Sequence, residues 1–174
     1  MNLMHKVYVV DTGALLSMWA QESQGADMIT VPSVVEELQN RPSQTRTEML
    51  ISTGRLREEA PTVGYIAEVK KVAQKSGDFT SLSDTDIELL ALALSKKEAD
   101  YSVTIVSTDL SLLNTARFLK VDVLDTTSKF THQIKWILKC PACGHTSGES
   151  SEGPECPVCG TTMRRHPVQR KSVR

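Results

Sequence analysis

The chain of 174 residues has no cysteine before position 140 and no apolar run long enough to cross a membrane. The first absence excludes a disulfide scaffold for most of its length, and the second a spanning helix. There is no internal repeat and no low-complexity tract. Val7 to Val10 is apolar but stops at Asp11, with neither a charged leader nor a cleavage site around it, so no secretory signal is expected. Aromatics make up only 5% of the chain, and the net charge of −1 shows no overall bias of sign. A cytoplasmic protein with reduced cysteines and no membrane partner is the expectation.

The near-neutral total hides an asymmetry. Residues 1–139 carry 15 Lys/Arg against 18 Asp/Glu, a net −3, while residues 140–174 carry 5 against 3, a net +2. Arg164, Arg165, Arg170, Lys171 and Arg174 fall in a final stretch with no acid. Such a tail suits a polyanion, most simply nucleic acid, and equally suits a solvated terminus.

The four cysteines form two Cys-x-x-Cys-Gly pairs, Cys140/Cys143 and Cys156/Cys159, with twelve residues between them. That spacing predicts a tetrahedral structural Zn²⁺ site with all four positions filled by thiolate. His145 is then not needed as a ligand.

Ahead of the cysteines, strand and helix signals alternate as a parallel α/β domain requires. Strands are predicted at Lys6–Val10, Met28–Val31, Ser102–Ser107 and Val121–Leu124, with a short edge strand near Leu56–Pro61. Helices are predicted at Ala14–Trp19, Ser33–Asn40 (ended by Pro42), Ser43–Ser52, Thr62–Lys75 and Asp109–Leu119. The most apolar helix, Ile87–Leu94, should be buried. The domains read as an α/β unit at 1–127, a helical linker at 128–138, a zinc ribbon at 139–163 and a basic tail at 164–174.

Acids recur where strands give way to helices: Asp11, Glu36 or Glu37, Asp84 or Asp86, and Asp109. In open α/β sheets, sites form beyond the carboxyl ends of the strands. Converging carboxylates there are hard ligands for Mg²⁺ or Mn²⁺. Each acid also has a local use. Asp109 fits an N-cap, Ser83 with Asp86 fits a capping box, and Asp11 fits a turn.

Four segments resemble the PIN-domain nucleases: Val7-Tyr-Val-Val-Asp11-Thr12, the Val31-Pro-Ser-Val-Val-Glu-Glu37 run, the run from Leu82 to Ala93, and Ser107-Thr108-Asp109. The resemblance implies a PIN-like parallel sheet flanked by helices. It also implies an Mg²⁺/Mn²⁺ site made by Asp11, Glu37, Asp86 and Asp109 that hydrolyses RNA. Glu37 precedes the apolar Leu38, and Asp86 opens the buried run, as the family's acids do. Asp84 and Asp125 stand as auxiliaries, and Thr12 and Thr108 as groups that steer ligands. With the Cys₄ ribbon, the basic tail and the stretch Gly77 to Asp86, the chain resembles the Nob-type branch in its compact archaeal form. That branch implies cleavage at the 3′ end of precursor small-subunit ribosomal RNA on the pre-ribosomal particle, with assembly-factor proteins as further partners. RNA affinity would come from the tail and from Lys70, Lys71, Lys75, Lys96 and Lys97. Trp136 is a candidate base-stacking group. The rival reading is a non-catalytic RNA-binding assembly factor with a degenerate site; the presence of all four acids argues against it. A HAD-like phosphatase needs an Asp where Gly13 stands.

Overall fold

The computed structural model describes residues 5–148 and 154–173. Five parallel strands form the main sheet: β1 (Lys6–Val10), β2 (Met28–Thr30), β3 (Leu56–Glu58), β4 (Ser102–Ser107) and β5 (Asp122–Asp125). Their order is β3-β2-β1-β4-β5, with Val10 opposite Val106 in the central pair. The chain winds outward from β1 to β3, crosses back, and continues from β4 to β5. The order therefore reverses between β1 and β4, which opens a crevice at their carboxyl ends.

Helices cover the sheet because parallel strands need both faces buried. They are α1 (Thr12–Leu16), α2 (Met18–Glu22), α3 (Pro32–Glu36), α4 (Arg41–Ser52), α5 (Val63–Ser76), α6 (Asp84–Glu98) and α7 (Leu110–Phe118). α6 is the central one. Ile87 and every residue from Leu89 to Leu94 are buried against Val7, Val9, Ile105 and Leu112 of the same core. No described helix is long and apolar enough to cross a membrane.

Several helix boundaries differ from the sequence expectation, and the single helix expected over Ala14–Trp19 is broken at the extended Ser17 into α1 and α2. α3 ends at Glu36 instead of Asn40, and Pro42 begins α4 instead of ending its predecessor. Proline suits a first helical turn, and Asn40 caps that turn by accepting from the Ser43 amide at 2.9 Å. On α5, Val69 and Ala73 are buried as the spacing predicts, but Val63 is 78% exposed at the open first turn.

The larger correction concerns the C-terminal region. Residues 128–138 were expected as a helical linker; His132–Lys139 instead forms a strand, β6. Arg164–Ser172, grouped with the basic tail, forms β8 and pairs with β6 antiparallel along its whole length. A short β7 (Thr146–Ser147) completes the order β7-β6-β8. The physical reason lies in the residues. Ile134, Trp136 and Leu138 alternate with Gln133, Lys135 and Lys139, a period of two broken only by Ile137, and Ile and Trp favour strands. Arg174, and residues 149–153 within the ribbon span, lie outside the described residues.

This small sheet is joined to the nuclease-like domain at one built junction. Gly77 ends α5 with a left-handed φ of +79°, and a Cβ there would lie 2.5 Å from the Trp136 carbonyl oxygen. Asn114 of α7 reads β6 as a strand would: it donates to the Ile134 carbonyl and accepts from the Ile134 amide, both at 2.7 Å. Asp78, 1% exposed, accepts from Asn114 at 2.6 Å and from Arg165 of β8 at 2.7 Å.

Candidate functional site

Asp11 leaves β1 and caps α1, accepting from the Ala14 amide at 2.5 Å. Its other carboxylate oxygen accepts from the Ser107 hydroxyl at the end of β4. Ser107 is fully buried, and its oxygen also accepts from the Asp109 amide at 2.9 Å. One hydroxyl thus ties Asp11 to Asp109 across the β1–β4 crevice. The sequence reading assigned steering roles to Thr12 and Thr108 and missed this one. The available signal was a serine two residues before the acid, at the closing position of a strand.

Asp109 caps α7 through the Ser111 and Leu112 amides at 2.6 and 3.1 Å. Asp86 completes a capping box on α6, accepting from the amide and the hydroxyl of Ser83 at 2.8 Å each. The local roles foreseen for Asp11, Asp86 and Asp109 are therefore all real. They fix where the acids stand. Glu37, at the end of α3, accepts from the Thr12 hydroxyl at 3.0 Å, which draws it toward the Asp11 turn.

Burial pushes the Asp86 carboxyl above the ordinary range, Ser83 pulls it partly back, and the charges of Asp109 and Glu37 raise it further. Burial raises Asp11 as well, offset in part by Ser107 and Ala14, with the charge of Asp86 adding to the rise. Asp86 is thus in electrostatic contact with each of the other three acids. Asp84 lies exposed on the first turn of α6, and Glu36 is exposed on α3. Asp125, expected as an auxiliary, is committed elsewhere. It accepts from the Thr127 amide and hydroxyl and from the Lys129 and Phe130 amides, closing the turn after β5.

Gly13 lets this corner close. A Cβ at Gly13 would lie 2.5 Å from the Thr108 hydroxyl oxygen and 3.5 Å from Asp11 Oδ1. The acids do not draw together as tightly as a closed ligand cage. Among the described residues, only the four cysteines bring three or more ligand atoms within 4.8 Å of one another. A looser carboxylate set fits Mg²⁺ or Mn²⁺ held through one or two oxygens, since Mg²⁺ keeps several of its waters.

The cysteine site is closed. Cys140 and Cys159 sulfurs are 3.5 Å apart, as are those of Cys143 and Cys156. A disulfide would need about 2.05 Å. Thiolates around Zn²⁺, at about 2.3 Å from the metal, stand roughly 3.8 Å from one another, so the cluster fits that ion. Two matching turns build it. The Gly144 amide donates to the Cys140 carbonyl at 3.1 Å, and the Gly160 amide to the Cys156 carbonyl at 2.8 Å. Both glycines have positive φ. Cys140, Cys156 and Met163 form a small buried core with Leu138 alongside.

Residues 8–96 match the family profile described as the PIN domain of ribonuclease. The chain belongs to the PIN-domain ribonuclease family. The matched span carries Asp11, Glu37 and Asp86, and Asp109 lies beyond it. The Endoribonuclease Nob1 of Pyrococcus abyssi is 33% identical over 151 residues, 86% of this chain and 91% of that protein. The Endoribonuclease Nob1 of Archaeoglobus fulgidus is 31% identical over 157 residues, 90% and 88% of the two chains. The Ribonuclease VapC1 of Thermoplasma acidophilum is 33% identical over 170 residues, 96% of this chain and 81% of that one. These alignments run past the PIN domain, since coverage of 86% or more of 174 residues must include part of the C-terminal sheet.

Proposed function

We propose that this PIN-domain ribonuclease is an Mg²⁺- or Mn²⁺-dependent endoribonuclease that cuts precursor small-subunit ribosomal RNA at its 3′ end. It would act in the cytoplasm on the pre-ribosomal particle, beside assembly-factor proteins. What supports the catalytic part is that Asp11 and Asp109, at the ends of β1 and β4, share the Ser107 hydroxyl, that Glu37 accepts from Thr12 beside Asp11, and that the charges of Asp109, Glu37 and Asp11 all act on or from Asp86. The substrate reading is supported by the similarity to the Nob1 endoribonucleases over 86% and 90% of the chain.

In this reading Asp11, Glu37, Asp86 and Asp109 hold the ion. The bound ion supplies a nucleophilic water and charge neutralisation at the cut phosphodiester. The chain's own groups do the rest. Ser107 fixes the spacing of Asp11 and Asp109, and Ser83 locks the Asp86 rotamer. Thr12 orients Glu37. Burial and mutual repulsion leave Asp11 and Asp86 favouring a cation or a proton, so a divalent ion relieves a standing electrostatic cost. Zn²⁺ on Cys140, Cys143, Cys156 and Cys159 is structural, with no position left for substrate. Phosphate attraction comes from β8, where Arg164, Arg170 and Lys171 lie along an exposed strand, Arg165 being paired with Asp78.

The test is cleavage of an RNA spanning the small-subunit 3′ end by zinc-loaded protein with Mg²⁺ or Mn²⁺. Cutting is expected at one position, and Asp86→Asn should slow it at least about 100-fold, the order lost when one pre-positioned electrostatic group is removed. Binding without cutting under every metal condition would favour the assembly-factor reading. Undiminished cutting by Asp86→Asn would remove that residue from the site.

A further inference from the structure

We propose that the cleft between the start of α7 and the β6–β8 sheet is a subsite for one nucleotide of single-stranded RNA next to the scissile bond. Its base would stack on the Trp136–Arg165 pair, and its phosphate would lie against Lys129 and Arg170. The assignment rests on the ribonuclease reading above and adds to it where the substrate strand runs.

Position is the first argument. The cleft wall begins with Leu110, the residue directly after Asp109, so the opening starts about 3.8 Å of backbone from a candidate metal ligand. Leu110 is 47% exposed, an apolar side chain held open to solvent between the acids and the cleft. A strand whose phosphate sits at the acids would have its neighbouring nucleotide over Leu110.

Composition is the second. The cleft encloses about 260 Å³. That is slightly below the roughly 300 Å³ at which small-molecule pockets begin, and it suits a single base better than a larger ligand. Its lining includes Phe130 and Trp136. The Arg165 guanidinium lies over the Trp136 ring, 4.5 Å from its centre, and both groups are of the planar kind on which bases stack.

Charge is the third. Lys129, Arg165 and Arg170 line the cleft, and Asp78 is its one carboxylate, buried and already paired with Arg165. Among the described residues no carboxylate lies within 4.0 Å of Lys129 or Arg170. Two unpaired cations beside an aromatic floor, one residue from an acidic cluster, match a sugar–phosphate strand passing from metal to cation. An acidic peptide would find the cations but no reason for the aromatic floor.

The test leaves the protein intact and alters the RNA. A fluorescein-labelled 12-nucleotide single strand from the small-subunit 3′ end is made with one abasic residue at each position in turn. Affinity is read by anisotropy before divalent ion is added, and the cut is mapped afterwards. Stacking worth about 1–3 kcal/mol per base predicts one position, within two nucleotides of the cut, where affinity falls about 5- to 150-fold. Lys129→Gln with Arg170→Gln should flatten the log–log salt dependence of binding by about 1.4, two single-strand phosphate contacts' worth. An even abasic profile, or an unchanged salt slope, overturns the subsite. Failure of the wild type to cut any RNA overturns the ribonuclease reading instead, and the binding profile still decides the cleft.

Discussion

Arg165→Met should destabilise the protein by about 3 kcal/mol at pH 7.5, and by clearly less near pH 4. Arg165 donates to Asp78 at 2.7 Å and to Ser81 at 2.8 Å, and its guanidinium lies over Trp136. A hydrogen bond to a charged group contributes about 1.5–3 kcal/mol, and a partly exposed cation–π contact about 0.5–1. The Asp78 side chain is 1% exposed and the Arg165 side chain 32%, so the full 3–5 kcal/mol loss of a wholly buried pair is an upper bound. For a chain of this size, 3 kcal/mol corresponds to a fall in Tm of about 6–12 °C. The pH dependence has a definite sign. Burial pushes Asp78 above its usual 3.8, and hydrogen bonds from Asn114 and Ser76 with the Arg165 charge pull it only part of the way back. A raised folded pKa means stability that is complete below 3.8 and lost as pH rises through the folded value. Without Arg165 the folded value rises further, so the deficit of the variant grows from pH 4 toward pH 7. Urea unfolding of zinc-loaded protein, followed by tryptophan emission at the two pH values, measures it. In an Asp78→Asn background the same substitution should cost about 1 kcal/mol. Equal losses at both pH values, or in both backgrounds, would refute the paired-carboxylate account.

Gly77→Ala should cost at least about 2 kcal/mol, from a left-handed φ and overlap with the Trp136 backbone. Gly54→Ala, at φ +70° with open space around it, should cost only about 1; equal Tm shifts would remove the Trp136 contact from the explanation. Purified protein should hold one zinc per chain by elemental analysis. Cys140→Ser should lose that metal and weaken RNA binding while far-UV circular dichroism of the helices persists. Ser107→Ala should slow cleavage by about 10- to 100-fold, as loss of a ligand-orienting group does, without changing the cut position. Mapping of the cleavage products checks both points.

The nuclease-like domain was largely legible in the sequence because its signals are local. Lys6–Val10 and Ser102–Ser107 are short β-rich runs, and Ile87–Leu94 is apolar on every side. Asp11 and Asp109 announce themselves by following strands. The two cysteine pairs carry their own spacing. What the sequence hid depends on distant partners. β6 has a strand's alternation, but only β8, some thirty residues on, makes a sheet of it. Asp78 carries no mark of its role, since nothing local shows that Asn114 and Arg165 converge on it. Ser107 looked like the last residue of a strand, because its two partners lie on opposite sides of the crevice. Glu37 is set apart from Glu36 by a single hydroxyl, that of Thr12.

The route by which Arg165 reaches Asp78 has one more consequence. The guanidinium comes from a strand that begins just after the last cysteine, Cys159, and that strand is brought back to β6 by the folded cysteine turns. If the thiolates lose their metal, the return of β8 is no longer enforced, and a carboxylate inside the nuclease domain loses its counter-charge. The solvation of Asp78 thus registers whether the ribbon is loaded. A chain with an empty ribbon carries a fault where α5 ends and α7 passes, the helix that Asp109 caps, and so is marked for unfolding at the end nearest the acids.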